Sequence, residues 1–290
     1  MEQKPTIVVL GVGRLGSALA SVLATAGYKV AAVTARRRTT VETFSIATGI
    51  FAVFNNVDAA AQGDIILLTV PDRSLLAVLD ELVAGQRLRR GQVLLHTSGV
   101  LPGEVLAPAR QFGVAVGSMH PLQSFADIET ARQNLPGSAF AIDGDPEAVD
   151  AAKCLVADLG GRVLRVPPQE RALYHAAACM ASNYLVVLLN IAEQLMSRWT
   201  VEQQDALQAL LPLVTGTLRN VSRQGTAEAL TGPILRGDAS TVAHHIKALP
   251  EEFLAVYQSL GKAALGLTGN RITPAERRQI DSLLASNDSQ

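Results

Sequence analysis

The chain falls into two parts that differ in how their apolar residues are spaced. In the first part, short β-branched runs alternate with amphipathic helical stretches, a pattern that predicts a mostly parallel, doubly wound α/β sheet. Such continuous apolar runs are typical of strands buried on both faces. The predicted strands are Ile7–Leu10, Val30–Val33, Ile65–Thr69, Val93–Leu95, Val114–Val116, Ala139–Ile142 and Val163–Val166, with intervening helices such as Arg14–Ala26 and Arg73–Ala84.

Beyond Val166 the spacing of apolar residues is helical only. Pro167 and Pro168 end the last strand, since proline cannot continue a strand ladder. We therefore predict an α/β domain over residues 1–168 and an all-helical domain over 169–290, whose polar tail 286–290 is expected to fray. The predicted helices are Arg171–Arg198, Val201–Gln224, Ala239–Leu249, Glu251–Leu265 and a last one that begins at Pro274.

Composition narrows the class of protein. Of the 290 residues, 48% are apolar, which is enough for a sizeable core. The sequence has 25 basic and 26 acidic side chains, so it lacks the basic surplus typical of a nucleic-acid binder. Cys154 and Cys179 are not spaced as a pair, which favours a reduced, cytoplasmic setting. The N-terminus does not resemble a signal peptide. The apolar segment from Ala176 to Met196 contains Asn190 and Glu193, so a buried helix is expected rather than a membrane span.

A glycine-rich turn follows the first strand and opens the first helix. Its residues are Gly11, Val12, Gly13, Arg14, Leu15 and Gly16, the spacing and context of the dinucleotide-binding fingerprint. Gly11 would permit the tight turn, Gly13 would let the backbone approach a pyrophosphate, and Gly16 would allow close packing of helix and strand. A purely structural glycine turn is the alternative.

The end of the second strand bears on which dinucleotide would bind. NAD sites usually place a carboxylate there for the ribose 2′-hydroxyl, but here Thr34 and Ala35 are followed by Arg36, Arg37 and Arg38. Guanidinium groups suit a 2′-phosphate, which favours NADPH over NADH. The alternative is a solvated basic loop.

Two further loops are expected at carboxyl ends of strands, where open α/β sheets bind ligands. Val70, Pro71 and Asp72 form one, and His96 to Gly99, including Ser98, form the other. We interpret both as walls of the nicotinamide side. Each could also be turn chemistry alone, because proline and aspartate readily begin a helix.

A polar stripe is predicted on the first helix of the second part. His175, Cys179, Ser182 and Asn183 are spaced at i, i+4, i+7 and i+8 and would share one face. Either this face lines a cleft, with a catalytic or substrate-binding role, or its polar groups are satisfied inside the core. Zinc binding by His175 and Cys179 lacks further ligands. Arg236 could hold a substrate carboxylate or bind Asp238.

Taken in order, the motifs GVGRLGSALA, VPD, HTSG, GSMHPLQSF, YHAAACMASNY and LTGPILRGD resemble a family of Rossmann-type oxidoreductases whose helical C-terminal domain has no assigned function. The family is similar to the 6-phosphogluconate dehydrogenase-like group, which includes ketopantoate reductase, pyrroline-5-carboxylate reductase and prephenate dehydrogenase. The resemblance implies a homodimer formed through the helical domain. It also implies that His175 stands where the hydroxyacid relatives carry a proton-donating Lys. Those relatives carry an Asn one turn and two turns further on; Asn183 matches the second, whereas Cys179 replaces the first.

The resemblance leaves two candidate proton donors, His175 and His120, since His120-Pro121 is similar to the His-Pro turn of prephenate dehydrogenase. The expected function is NADPH-dependent reduction of a small 2-oxo or imino acid, with ketopantoate a candidate substrate held near Ser98. Two alternatives remain open. One is a dehydrogenase acting oxidatively or a deazaflavin-linked NADP reductase, and the other is a protein that senses NADPH without catalysis. Neither a metal, nor nucleic acid, nor a membrane is expected as a partner.

Overall fold

A computed structural model of the chain describes residues 4–285, so the tail 286–290 lies outside the described residues. Within that range seven strands form one sheet in the order β2-β1-β3-β4-β5-β6-β7. All neighbouring strands are parallel except β5 and β6. The strands are Ile7–Leu10 (β1), Val30–Thr34 (β2), Ile65–Leu68 (β3), Val93–His96 (β4), Ala115–Leu122 (β5), Ala139–Gly144 (β6) and Arg162–Arg165 (β7). The predicted α/β class and its mostly parallel sheet are confirmed.

Helices connect the strands and then make up the rest of the described chain. Those of the α/β part are Arg14–Thr25 (α1), Arg38–Thr48 (α2), Asn56–Ala60 (α3), Asp72–Gly85 (α4), Ile128–Asn134 (α5) and Pro146–Asp158 (α6). Those that follow are Arg171–Ala181 (α7), Asn183–Met196 (α8), Gln203–Ala229 (α9), Ala239–Ala248 (α10), Glu251–Leu267 (α11) and Pro274–Leu284 (α12). Pro274 opens α12 as expected, behind a capping box made by Thr273 and Glu276.

The sheet has a hydrophobic core on each face, which is what a doubly wound sheet requires. Alternate residues of β1 enter the two cores: Ile7 and Val9 belong to one, Val8 and Leu10 to the other. The first core is covered by α1, α5 and α6, and the second by α3, α4 and the 3₁₀ segment at Gly103–Phe112. Burying both faces leaves the strand ends as the place where polar chemistry can reach solvent.

The register of the strands brings their carboxyl ends into one row. Leu10 pairs with Thr34 of β2 and with Leu68 of β3, and Leu68 pairs with His96. His96 in turn pairs with Ser118, which lies opposite Asp143 on the antiparallel strand β6. The loops after β1, β2, β3 and β4 therefore emerge along the same edge of the sheet.

Two expectations about burial are wrong. The edge strand β7, with the sequence RVLR, is exposed along its length because it has a neighbour only on one side. The apolar segment from Ala176 to Met196 is not a buried helix, since α8 has no buried residue in this chain. Within Pro168–Trp199, a window of 18 residues has a mean hydropathy of 1.5, so by length and composition alone this segment could cross a membrane.

The expectation of a single helix over Arg171–Arg198 is also wrong. Ser182 adopts φ −120° and ψ −70° and separates α7 from α8. Contacts divide the chain into two compact units, Met1–Asn183 and Tyr184–Gln290, so α7 is grouped with the sheet. The second unit has its own small core, in which Val242, Leu265 and Ile280 are buried. The domain boundary at residue 168 stays a prediction.

Candidate cofactor and active site

The turn after β1 has the backbone geometry that its glycines predict. Gly11 adopts φ +111°, a conformation that residues with a side chain rarely take. A Cβ on Gly16 would collide with the carbonyl oxygen of Gly11 and come within 2.5 Å of Thr69 Oγ1. Thr69 Oγ1 donates a hydrogen bond of 2.7 Å to the Gly11 carbonyl. Helix α1 can thus pack directly against the turn only because residue 16 is glycine.

The start of α1 is open. Gly13 is the residue that precedes the helix, no side chain of the described residues caps it, and no atom lies within 4 Å of the position its Cβ would take. Of the next two residues, Arg14 is exposed and Leu15 is half-buried. Backbone N–H groups at an uncapped helix start, with no side chain in front of them, can receive a phosphate. The residues present therefore fit a dinucleotide pyrophosphate.

At the end of β2 the arginines differ in how they are engaged. Thr34 is buried, and its hydroxyl donates a hydrogen bond to Asn56 Oδ1 at 2.7 Å. Arg38 pairs with Glu42 at 2.8 Å and stacks on the ring of Phe54. Arg36 and Arg37 are exposed, and within residues 4–285 neither has a carboxylate within 4 Å. Two guanidinium groups at this strand end are thus available to an anionic ligand.

The loops after β3 and β4 are joined by a hydrogen bond. Ser98 Oγ donates to Asp72 Oδ2 at 2.8 Å, and the same oxygen accepts from the N–H groups of Val100 and Leu101. Val70 and Pro71, half-buried and exposed, begin the loop that leads to Asp72. The Ser98 hydroxyl therefore organises the loop, and its contact with a substrate stays a prediction.

His96 is a structural histidine. It is fully buried, its Nδ1 accepts from the Ser98 N–H at 3.1 Å, and its Nε2 lies 3.0 Å from the carbonyl oxygen of Pro102. The imidazole is neutral with its proton on Nε2, because Nδ1 accepts while a carbonyl can only accept in turn. Burial, as the largest cause, lowers the pKa of His96.

Gly99, His120, Tyr174 and His175 form what we call the two-histidine cluster. His120, from β5, and His175, from α7, both lie against Gly99, near the position that a Cβ would take. A Cβ on Gly99 would be 2.5 Å from His175 Cδ2 and 2.9 Å from His120 Nε2. The two imidazole centroids are 6.1 Å apart, and Tyr174 Oη is 2.8 Å from His120 Nδ1. The structure thus brings the two candidate proton donors together beside the loop after β4.

The charge of His120 is set by its surroundings. Burial, and then the positive charge of Arg171, lowers the pKa of His120 to about 4. His120 is therefore a neutral imidazole near pH 7. Burial also raises the pKa of Tyr174, which keeps its hydroxyl protonated.

Sequence reasoning missed Arg171, Asp143 and Tyr174. Arg171 is 1% exposed, and its Nε donates to Asp143 Oδ2 at 2.8 Å. Such a buried ion pair has no local sequence signature, since its partners are 28 residues apart. Tyr174 could have been considered from its position next to His175.

The predicted polar stripe is only partly present. His175 Nδ1 and Cys179 Sγ are 3.8 Å apart, as expected for residues one turn apart. Asn183 lies beyond the break at Ser182 and is exposed, so the structure does not place it on the same helical face as His175. In the described part of the chain, no three His, Cys, Asp or Glu side chains are grouped as metal ligands. Asp238 accepts from Thr241 N and caps α10.

Comparison with known proteins matches both parts of the chain. Residues 2–121 match the Rossmann-like domain, and residues 138–264 match the domain of unknown function DUF2520. No curated protein sequence gives a significant match.

Three solved structures illustrate the similarity of fold. A candidate NADP oxidoreductase from Bacteroides fragilis has a TM-score of 0.74 at 21% identity, over 91% of this chain and 98% of its own. A protein from Thermotoga maritima has a TM-score of 0.70 at 21% identity, with the same coverage of 91% and 98%. A Plasmodium falciparum pyrroline carboxylate reductase with NADP bound has a TM-score of 0.60 at 13% identity, over 98% and 99%.

The fold and the turn at Gly11 define a protein with a Rossmann-like domain. More particularly, the match to that domain is followed in the chain by the match to DUF2520, and the two together are the combination that the resemblance of the motifs implies.

Proposed function

We propose that the protein is an NADPH-dependent oxidoreductase that reduces a small 2-oxo or imino acid. The observation that carries the proposal is the two-histidine cluster, which lies at the loop after β4, on the sheet edge that also carries the Gly11 turn. Proton-transferring side chains beside a dinucleotide site are what reduction of a carbonyl or imine needs.

The cofactor would be held by groups that no side chain engages within residues 4–285. The open helix start at Gly13 would receive the pyrophosphate, and Arg36 and Arg37 would receive the 2′-phosphate. The loops at Val70 and Ser98 would flank the nicotinamide. Bound NADPH supplies the hydride of the reduction.

The proton is assigned to His175. Because the pKa of His120 is about 4, His120 is neutral near pH 7 and serves as a hydrogen-bonding group for the substrate oxygen or nitrogen. His175 also lies against Gly99 and would hold the proton that the reduced substrate takes up. Asn183 remains a candidate for orienting the substrate.

A homodimer is part of the same proposal. Tyr184, Val186 and Val187 of α8 are 52–65% exposed in the single chain, a concentration of apolar surface that a second copy would cover. A dimer in the cytoplasm accounts for an apolar segment that carries Asn190 and Glu193. Sedimentation of the purified protein tests this, and a monomer at micromolar concentration would contradict it.

The proposal is tested by following NADPH oxidation against a panel of 2-oxo acids and cyclic imines that includes ketopantoate. Turnover with at least one compound is expected, and His175→Ala should lower it about 10²–10⁴-fold, the usual effect of removing a general acid. Reduction of an oxo or imino acid that survives this substitution would show that His175 is not the acid. Deazaflavin-linked turnover that survives in the variant, with no reduction of any panel compound, would favour that alternative. Tight NADPH binding without any turnover would instead support a sensor.

A further inference from the structure

The first helix after the sheet is fastened to it by one buried arginine. Arg171, at the start of α7, donates from Nε to Asp143 on β6, from Nη2 to Ser118 Oγ on β5, and from Nη1 to the Ser98 carbonyl at 3.4 Å. The guanidinium side chain is 1% exposed and the Asp143 side chain 8%. Burying a cation this deeply is strongly destabilising unless each of its N–H donors meets a hydrogen-bond acceptor.

The acceptors of Arg171 are themselves held in place. Ser118 and Asp143 are register partners on neighbouring strands, so the sheet fixes the distance between them. Asp143 Oδ1 also accepts the Gly103 N–H at 2.6 Å. Because the guanidinium is planar and its donors are rigidly spaced, these acceptors define both the position and the rotation of the start of α7.

The residues that follow on α7 are those of the two-histidine cluster. Tyr174 and His175 come three and four positions after Arg171, one turn along the same helix. A small rotation of α7 would break the 2.8 Å contact of Tyr174 Oη with His120 and would move His175 away from Gly99. The Ser98 carbonyl directly precedes Gly99. Arg171 therefore contacts the loop against which the imidazoles of His120 and His175 pack.

We propose that Arg171 is a positioning residue for the reaction: through Asp143, Ser118 and the Ser98 carbonyl it sets where Tyr174 and His175 stand relative to His120 and Gly99. The inference rests on the proposed reductase function for its catalytic consequence. The reacting groups remain His175 and the substrate, and Arg171 acts only through them.

Arg171 also influences the charge of the cluster. After burial, its positive charge is the largest cause that lowers the pKa of His120 to about 4. The titratable and charged groups that act on or contact His120 are Arg171, Tyr174 and His175 on α7 and His96 on β4, while Asp143 on β6 pairs with Arg171. Loss of the arginine should therefore be visible in the titration of one particular histidine.

The test compares Arg171→Lys with the double variant Arg171→Met/Asp143→Leu. The double variant leaves no unpaired buried charge and loses one further hydrogen bond, from the Gly103 N–H, so it is expected to fold with reduced stability, as a thermal melt followed by circular dichroism would show. The titration of the His120 imidazole is followed by NMR and assigned by the loss of its signal in His120→Gln. The kcat and KM of the best panel substrate and the Kd of NADPH are measured alongside.

For the folded double variant we expect the pKa of His120 to rise above about 4 but to stay lowered, because burial, the largest cause of the shift, remains. We also expect kcat to fall about 10²-fold, the cost of a misplacement of about 1 Å, with NADPH Kd within about twofold of wild type. Arg171→Lys keeps the positive charge and should keep the low pKa of His120. Its kcat should lie between that of the double variant and that of the wild type. A folded double variant with an unchanged His120 titration and wild-type kcat would overturn the proposal.

Two further outcomes are decisive. If the double variant does not fold, Arg171→Lys decides alone: a kcat reduced at least about tenfold with a low His120 pKa supports positioning, and wild-type kcat overturns it. If the wild-type protein reduces none of the compounds, the proposed function fails, and the histidine titration still tests whether Arg171 controls the cluster.

Discussion

The cofactor turn and the two-histidine cluster differ in how the chain builds them. The turn consists of consecutive residues, Gly11 to Gly16, which meet one another directly at the Gly11 carbonyl and which Thr69 supports with one hydrogen bond. The cluster takes Gly99 from a loop, His120 from β5 and His175 from α7, and it exists only because the sheet and Arg171 bring them together. A local site should therefore fail when one backbone contact is blocked, and an assembled site when its spacing is disturbed.

The largest effect is expected at Gly16. An alanine there would place its Cβ against the Gly11 carbonyl, which is backbone and cannot move aside, so the free energy of unfolding should fall by about 3 kcal/mol or more. Gly13→Ala is the matched variant, because nothing lies within 4 Å of its Cβ position. Urea unfolding of the apoprotein should separate them, with Gly13→Ala as stable as wild type but weaker in NADPH binding. Equal stability of both variants would contradict the packing argument.

The next effect tests the assembled site in the same way. Gly99→Ala would push on His175 Cδ2 and His120 Nε2, which are ends of side chains rather than backbone, so the fold should survive. Displacement of both imidazoles should lower kcat about 10²-fold. NADPH affinity, measured by fluorescence titration, should stay within about twofold. Gly266→Ala on α11, where no atom lies within 4 Å, is the control and should keep wild-type kcat.

Stability against pH reports on the same cluster. The pKa of His120 is lowered from 6.5 to about 4, so between these values the unfolded chain binds a proton that the folded chain does not. The contribution is fully present above pH 6.5 and is lost as the pH falls toward 4, by about 2 kcal/mol once solvent screening of the half-buried ring is allowed for. In His120→Gln the loss of stability between pH 7 and pH 4.5 should be smaller. An identical loss in both proteins would show that His120 is not protected from protonation.

The same contrast explains what could be predicted from the sequence. Strands, helices and the cofactor turn follow from local spacing, and six of the seven strands lie within two residues of their predicted bounds. The exception is β5, which continues to Leu122, beyond its predicted end at Val116, so that His120 lies within the strand. The ion pair of Arg171 with Asp143 could not be predicted, because it depends on the pairing of β5 with β6. The break at Ser182 could not be predicted either, since alanine and leucine on both sides favour an uninterrupted helix. The polar stripe that paired Asn183 with His175 was inferred from that uninterrupted helix.

The smallest effect is expected on NADPH affinity, from the arginines that follow β2. Arg36 and Arg37 are exposed and free of carboxylates within the described residues, whereas Arg38 is held by Glu42 and Phe54. Replacing both Arg36 and Arg37 by Ser should weaken NADPH binding about tenfold and leave NADH binding unchanged, because exposed charged contacts contribute modestly. Arg38→Ser should change neither affinity by more than about twofold. Isothermal titration with both cofactors measures this, and equal loss for NADH and NADPH would mean that the arginines hold the cofactor elsewhere than at its 2′-phosphate.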